Sequence, residues 1–271
     1  MQATKSKLVG AFLLLGPLAA CTGESAVPRG ANGEVVDSSA GTVVLGIRGV
    51  GTYRPAVLGA TGSLAGSISR EGTPPDDSTV AVNGDSQLCG DSASVTRTSS
   101  NGGALGNVLV WIVGVTAGKS PPEVRRETLT IEDCVFEPRL MAVMSGTTIN
   151  LLSRDHTTYT SRFYREGAGE PVDAIHTVDA GQVVPSEKIA AKPGIVEARR
   201  TPHPWARAYI AVFDHPYFAV TNERGDFTID SLPPGTYTVK VWHERLEKPV
   251  EQRIVVGPRG TARIDAALTL K

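Results

Sequence analysis

The sequence predicts an all-β protein built from sandwiches of short strands. Downstream of residue 61, apolar stretches of strand length alternate with clusters of Gly and Pro. Residues 63–69 alternate apolar and polar side chains, as a half-buried strand does, and residues 108–115 form a continuous apolar run that suits a central strand. No helical spacing of apolar residues follows the N-terminal segment. These three observations together favour a β-sandwich architecture.

The N-terminal segment resembles a bacterial lipoprotein signal peptide over residues 1–21. Lys5 and Lys7 precede an apolar stretch that is too short for a membrane-spanning helix of about 20 apolar residues. The Leu-Ala-Ala-Cys sequence that ends at Cys21 resembles a lipobox, in which the Cys carries lipid, and Thr22 in the sorting position resembles outer-membrane lipoproteins. An ordinary cleaved signal peptide is the alternative. We expect a cell-envelope protein, lipid-anchored in the outer membrane and facing the periplasm.

Changes in composition divide the rest of the chain into a linker and two domains. Residues 22–61 are rich in Gly, Ala and Ser and are predicted to be a flexible linker. An Asp-His-Pro break then separates a first domain, residues 62–214, from a second, residues 215–271, in which turns with Gly and Pro follow each other closely. We expect the interface side chains to include Phe213, Tyr217 and Phe218.

The charge and the motif content argue against two broad classes of function. The formal net charge is −1, which offers no electrostatic case for binding nucleic acid. The sequence contains no nucleophile elbow, no Gly-rich phosphate loop and no paired-carboxylate signature. We therefore expect that the protein is not an enzyme.

The chain contains three cysteines, and the predicted export decides how two of them are interpreted. If Cys21 carries lipid, Cys89 and Cys134 remain as a pair. Because an exported protein occupies an oxidising compartment, a disulfide between them is the expected state. Two buried free thiols are the alternative, since connectivity does not follow from sequence alone.

Two groups of motifs resemble known families and together cover residues 62–271. The first group resembles exported cupredoxins, which are plastocyanin-like proteins; it comprises residues 87–90, 108–115, 134–139 and the His-Pro-Trp loop at 203–205. Residues 227–244 are similar to the carboxypeptidase-regulatory-like, transthyretin-like sandwich. The resemblance implies a cupredoxin-like β-sandwich followed by a smaller transthyretin-like β-sandwich.

The cupredoxin resemblance also implies a copper site from which most ligands are missing. The family pattern has a Cys three residues before His203 and a Met three residues after it, whereas this chain has Arg200 and Ala206. The second His of the pattern, aligned on Asp155, is Tyr159. A blue-copper site needs two imidazoles and a thiolate, with a weak axial thioether. We therefore expect no cofactor, with a fixed Arg200 cation where the metal would sit.

A remodelled metal site is the alternative to a lost one. His203 together with His156 and His176 could suit copper or zinc, although their spacing carries no metal-binding signature. His215 and His243 are predicted to have structural roles at strand ends, where an imidazole can bond the backbone.

The favoured functional hypothesis is a non-enzymatic envelope lipoprotein that acts as a binding or scaffolding module, with an unidentified protein or glycan as its partner. A copper-binding or electron-transfer protein with a remodelled His-based site is one alternative. A carbohydrate-binding module is another, and it rests on fold analogy. Its aromatic platform would come from Tyr217, Phe218, Tyr237 and Trp242.

Overall fold

Strands make up nearly all the regular structure of the protein. The structure, a computed structural model, describes residues 52–72, 79–82, 85–94, 100–101, 103–177, 179–201, 203 and 205–270. Cys21, the predicted signal peptide and most of the predicted linker lie outside these residues. Within them, no helix is long and apolar enough to span a membrane.

The described strands are short and follow one another closely along the chain. In order they are β1 (Arg54–Pro55), β2 (Gly62–Arg70), β3 (Thr79–Ala81), β4 (Ser92–Ser94), β5 (Ser100–Asn101), β6 (Ala104–Leu105), β7 (Leu109–Val113), β8 (Ala117–Gly118), β9 (Arg126–Glu132), β10 (Val135–Glu137) and β11 (Leu140–Met144). They continue with β12 (Thr147–Ser153), β13 (Tyr159–Arg165), β14 (Asp173–Thr177), β15 (Val183–Ala190), β16 (Gly194–Thr201), β17 (Arg207–Phe213), β18 (Phe218–Val220), β19 (Asp226–Leu232), β20 (Gly235–Trp242), β21 (Val250–Val256) and β22 (Thr261–Leu268). One helical turn, α1 (Ser86–Cys89), lies between β3 and β4.

The first sandwich is formed by two sheets from the middle of the chain. One sheet has the strand order β10-β9-β12-β15 and the other β11-β17-β16-β13-β14. The β9–β12 and β11–β17 pairs are parallel, and the other pairs are antiparallel. Buried and half-buried residues alternate along β12 and along most of β13, so that one face of each strand enters a shared core.

The second sandwich combines strands from both ends of the chain. Its sheets have the orders β18-β7-β20-β21 and β19-β2-β6-β5, and β22 pairs in parallel with β2. Leu64 and Ile68 of β2 enter the same core as Phe227, Ile254 and Ile264. The predicted all-β fold class is confirmed.

The strand pairing differs from the domain division drawn from the sequence. That division assigns residues 62–70 and 109–113 to the first domain, but β2 and β7 pair with strands of the second sandwich. The continuous apolar run of β7 has a physical reason. One face, with Val110 and Ile112, enters the core of the second sandwich, and the other, with Leu109 and Trp111, faces the first sandwich.

A third apolar cluster joins the two sandwiches. It contains Leu109, Trp111, Leu140, Ile195, Ala211, Phe213 and Trp242. The predicted interface residues Phe213 and Phe218 stack at 4.6 Å between ring centroids, and Phe218 packs against this cluster. Tyr217 was expected there as well, but it is buried in the second core, where its hydroxyl donates to the Ser231 carbonyl at 3.1 Å.

Ordered structure begins before the predicted end of the linker. Strand β1 pairs in parallel with β8, and the Tyr53 hydroxyl donates to the Lys119 carbonyl at 2.6 Å. The ring of Tyr53 lies 6.3 Å from that of Tyr217. Residues 52–61 therefore contact the second sandwich, although the sequence places them in a flexible linker.

Candidate functional site

The four positions inferred from the cupredoxin resemblance meet at one end of the first sandwich. Tyr159 begins β13, Arg200 lies near the end of β16, and the antiparallel pairing of these strands places Ser161 opposite Arg200. His203 and Ala206 lie in the connection from β16 to β17. All four side chains are buried, and His203 has no exposed surface. The structure thus brings the predicted positions together.

Arg200 fills the centre of this group. Its Nη2 lies 2.8 Å from His203 Nδ1, and its guanidinium carbon lies 3.4 Å above the centroid of the Tyr159 ring. The His203 ring stacks on Trp205 at 4.7 Å and meets the edge of Tyr159 at 5.6 Å. The arrangement is a buried cation held between aromatic rings.

Arg200 also fixes the tautomer of His203. A guanidinium has only donors, so Nδ1 of His203 accepts the hydrogen bond with its lone pair. The neutral imidazole then carries its proton on Nε2, which lies 3.3 Å from Asp85 Oδ2. Burial, and next the Arg200 cation, lower the pKa of His203, so the ring stays neutral. Both ring nitrogens are therefore engaged.

The residues present do not fit a blue-copper ion. Arg200 places a positive charge where the resemblance implies a thiolate, and Ala206 offers no donor atom. The Tyr159 hydroxyl donates to Asp155 Oδ2 at 3.1 Å, and burial raises the pKa of this phenol to about 12. His203 has no free lone pair for a metal. Among the residues that the structure describes here, two imidazoles and a thiolate do not form a trigonal set.

The predicted three-histidine alternative is not assembled either. His156 and His176 are exposed, whereas His203 is buried. His156 Nδ1 lies 3.1 Å from Asp179 Oδ1, and His176 Nδ1 lies 3.0 Å from the Thr160 hydroxyl. Within the described residues, the only group of three or more His, Cys, Asp or Glu side chains with ligand atoms in mutual reach contains neither of these two histidines.

That group consists of Cys89, Cys134 and His203, with ligand atoms within 4.8 Å of one another. The predicted disulfide is confirmed, because Cys89 and Cys134 are bonded and their Cα atoms are 5.4 Å apart. The two sulfurs are therefore bonded to each other and are not available as thiolate ligands for a metal. Cys89 Sγ lies 3.9 Å from His203 Nε2, and Cys134 Sγ lies 3.5 Å from the Tyr159 hydroxyl.

Asp155 supports the same cluster from the other side. Its carboxylate accepts the backbone N–H groups of Asp133 at 2.9 Å and Cys134 at 3.0 Å, besides the Tyr159 hydroxyl. The sequence identified Asp155 only as the residue on which Tyr159 is aligned. It did not predict that the disulfide lies beside His203. A signal was present, since the two cysteine motifs and the His-Pro-Trp loop belong to one set of family motifs.

The structural roles predicted for the other two histidines are confirmed. His215 follows β17, and its Nδ1 accepts the Tyr217 backbone N–H at 3.2 Å. His243 follows β20, and its Nδ1 accepts the Arg245 backbone N–H at 3.2 Å. Both rings are buried.

These buried imidazoles make stability depend on pH. Burial lowers the pKa of His243 to about 4, from an ordinary value near 6.5, and it also lowers the pKa values of His215 and His203. Between pH 4 and pH 6.5 these histidines therefore bind more protons in the unfolded chain than in the folded chain. The free energy of unfolding should therefore fall as the pH falls from about 6.5 towards 4.

Urea unfolding at pH 7 and pH 5 checks this expectation. The His243→Phe variant removes one of the titrating groups, and its stability should change less between the two pH values than that of the wild type. An equal change in both proteins would contradict the assignment to His243.

A cleft between the two sandwiches is the second candidate site. Its volume is about 450 Å³, and its walls come from the end of β13, from β16, β17 and the end of β20, and from the loops that follow β13 and β20. It is lined by Tyr164, Arg165, Glu166, Gly167, Ala168, Gly169, Ile195, Glu197, Arg199, Tyr209, Trp242, Leu246 and Glu247.

Aromatic and charged groups converge in this cleft. Tyr209 meets Trp242 edge-on at 5.7 Å, and the Arg199 guanidinium lies 4.9 Å from the centroid of Tyr164. The Glu197 carboxylate pairs with Arg199 at 2.6 Å and with Arg207 at 3.3 Å. Such walls offer apolar ring faces next to fixed hydrogen-bonding groups.

The aromatic platform predicted from the sequence takes a different form. Tyr217 has no exposed surface and Trp242 is 8% exposed, while Phe218 and Tyr237 are half-buried. The Tyr237 hydroxyl donates to the Pro233 carbonyl at 2.7 Å, and Phe218 stacks on Phe213. Only Trp242 of these four lines the cleft, where Tyr164 and Tyr209 join it.

Several solved structures of copper proteins are similar to part of the chain. A Cu(I) amicyanin mutant is 20% identical with a TM-score of 0.27, and the match covers 34% of this chain and 85% of amicyanin. A purple cupredoxin from Nitrosopumilus maritimus is 14% identical with a TM-score of 0.27, and the match covers 32% of this chain and 98% of the cupredoxin. A copper-containing nitrite reductase from Thermus scotoductus SA-01 is 18% identical with a TM-score of 0.28, and the match covers 38% of this chain and 25% of the reductase. At such low identity and TM-score, these matches do not bear on metal binding.

The C-terminal part of the chain matches a protein family. The matched residues, 194–269, run from β16 and β17 of the first sandwich through the last strand of the second. No curated protein matches the sequence. Over residues 194–269, the chain is similar to the family described as the carboxypeptidase regulatory-like domain.

Proposed function

We propose that the protein is a non-enzymatic binding module of the cell envelope, and that the cleft between its sandwiches holds the ligand. Lipidation at Cys21 would anchor it in the outer membrane, facing the periplasm. The observation that carries the proposal is the convergence of Tyr164, Tyr209 and Trp242 with the paired Glu197 and Arg199 in one cleft. Its volume of about 450 Å³ lies within the range of small-molecule sites.

The chemistry of the walls favours a saccharide as the ligand. Ring faces can pack on the C–H faces of a sugar, and the planar Glu197 and Arg199 groups can bond neighbouring hydroxyls. The two Arg groups that pair with Glu197 hold its carboxylate in place, so little side-chain freedom is lost on binding.

A saccharide panel tests the proposal on the purified chain. We expect at least one mono- or oligosaccharide to change the tryptophan fluorescence and to raise the melting temperature. Tyr164→Ala removes a ring from the rim and should weaken binding by about fivefold, equivalent to about 1 kcal/mol. The matched control is Tyr237→Ala, which removes a half-buried tyrosine outside the cleft. Equal losses in both variants, or no saccharide bound at millimolar concentration, would reject the cleft as a glycan site.

The proposal includes the absence of a copper cofactor, for which the Arg200–His203 contact is the physical reason. The purified chain should retain no stoichiometric copper after loading and gel filtration. The positive control is the triple variant Tyr159→His, Arg200→Cys and Ala206→Met, which restores the ligand types of the family pattern. It should bind Cu(II) with the intense visible absorption of a copper–thiolate bond. Tightly held copper in the wild type that disappears in His203→Ala would refute the proposal.

A further inference from the structure

The two sulfurs of the disulfide differ sharply in their surroundings. Cys89 is half-buried and ends α1, a single turn in which no residue is buried. Cys134 is 1% exposed and lies in the tight turn between β9 and β10. Cys89 is therefore the more accessible of the two cysteines, whereas Cys134 is covered by the sandwich.

A hydrogen-bond donor and a cation lie close to the disulfide. The Arg200 contact places the His203 proton on Nε2, and this atom lies 3.9 Å from Cys89 Sγ. The Tyr159 oxygen lies 3.5 Å from Cys134 Sγ, and its one proton is donated to Asp155. The Arg200 cation lies against the rings of both His203 and Tyr159. A hydrogen-bond donor and a nearby cation favour thiolates, which are the attacking and leaving species in disulfide exchange.

We propose that Cys89–Cys134 is an exchangeable, redox-active disulfide that a dithiol reduces while the chain stays folded. A thiolate of the dithiol attacks Cys89 Sγ, a mixed disulfide forms, and the Sγ–Sγ bond breaks. Cys134 leaves as a thiolate and is protonated by solvent as the turn between β9 and β10 opens locally. The second thiol of the dithiol then loses its proton and attacks the dithiol's first sulfur, which is bonded to Cys89. Cys89 is released and takes up a proton to become a thiol. Two electrons and two protons pass to the protein, and the partner leaves as a disulfide.

This assignment gives the buried Arg200–His203 pair a chemical role that metal binding does not. The tautomer that keeps a metal off Nε2 is the one that makes Nε2 a donor towards sulfur. Asp85, whose Oδ2 lies 3.3 Å from the same nitrogen, holds the ring in this orientation. The proposal is independent of any ligand in the cleft.

Reduction of the wild-type chain under native conditions tests the proposal. The purified protein is incubated with dithiothreitol at several urea concentrations below the unfolding transition, and alkylated cysteines are counted by mass spectrometry. We expect the reduction rate to change by less than about twofold across this range, because local opening exposes little surface. Cys89 should be alkylated well before Cys134. A rate that rises in parallel with global unfolding, or a disulfide that resists reduction until the chain unfolds, would overturn the proposal.

A matched pair of variants tests the part played by His203. After reduction, the rate at which iodoacetamide alkylates Cys89 at pH 7 reports how much thiolate is present. His203→Phe should lower this rate severalfold, since the ring volume is kept and the donor is lost. His215→Phe removes another buried histidine, one that bonds the Tyr217 backbone, and should leave the rate unchanged. Equal rates in the wild type, His203→Phe and His215→Phe would refute the role of His203. If His203→Phe does not fold, the reduction of the wild-type protein by dithiothreitol still tests the proposal.

Discussion

Arg139→Leu is expected to lower the free energy of unfolding by about 3–5 kcal/mol, the cost of leaving a buried charge without its partner. The Arg139 guanidinium makes a two-point contact with Glu244, at 3.0 Å from Nε and 2.9 Å from Nη2. Its Nη1 also donates to the Arg207 carbonyl at 3.1 Å. Both charged side chains are about one-tenth exposed. Replacing Arg139 alone would leave the Glu244 carboxylate buried and uncompensated.

Two further variants make the expectation about Arg139 specific. The double variant Arg139→Leu and Glu244→Leu should recover most of the loss, because paired apolar residues can replace a buried ion pair at little cost. Arg263→Leu breaks an exposed pair with Asp265 and should cost less than about 1 kcal/mol. Urea unfolding measures all three. If Arg139→Leu costs no more than Arg263→Leu, the buried Arg139–Glu244 pair does not contribute the stability that we expect from it.

Gly66→Ala is expected to cost on the order of 5 kcal/mol or to prevent folding, a loss large enough to require a named structural cause. The cause is the parallel pairing of β2 with β22, which places Gly66 opposite Ile264. A Cβ at residue 66 would overlap the carbonyl oxygen of Ile264, and a backbone atom cannot swing aside. The two strands would have to separate, and β2 also pairs with β19.

Gly59→Ala is the matched control for this substitution. No atom lies within 4 Å of a Cβ at Gly59, so the change in stability should stay within about 0.5 kcal/mol. Thermal unfolding and soluble yield compare the two variants. A Gly66→Ala protein as stable as Gly59→Ala would show that β2 does not lie against β22.

The local patterns of the sequence predicted strands well, and their partners poorly. The alternation of β2 and the apolar run of β7 identify both strands and show which faces are buried. Alternation specifies a face and says nothing about which distant strand will cover it. For that reason β2 and β7 were assigned to the first domain, although their partners are β19, β20 and β22.

The residue types at the candidate site could be predicted from the sequence. The contacts between residues that are far apart in the sequence could not. The substitutions at Tyr159, Arg200 and Ala206 follow from a family pattern, and the cysteine pair follows from a count. The contact of Cys89 with His203 joins residues 114 positions apart, so no local spacing reveals it. Tyr217 was misplaced for a similar reason, because its neighbours Gly118 and Ser231 come from β8 and β19, which no local pattern places beside it.

The pairing of β2 with the last strand, β22, has a consequence for how the chain assembles during synthesis. Strands β2 and β7 lack three of their partners until residues 226–268 have been made, since β19, β20 and β22 lie there. The first sandwich is complete by Phe213 and can condense around its own core before then. Pairing strands that are so far apart in sequence is slow, and it leaves the apolar face of β7 with Val110 and Ile112 uncovered in the meantime. The first sandwich can therefore fold before the second, which cannot close until β22 has been made.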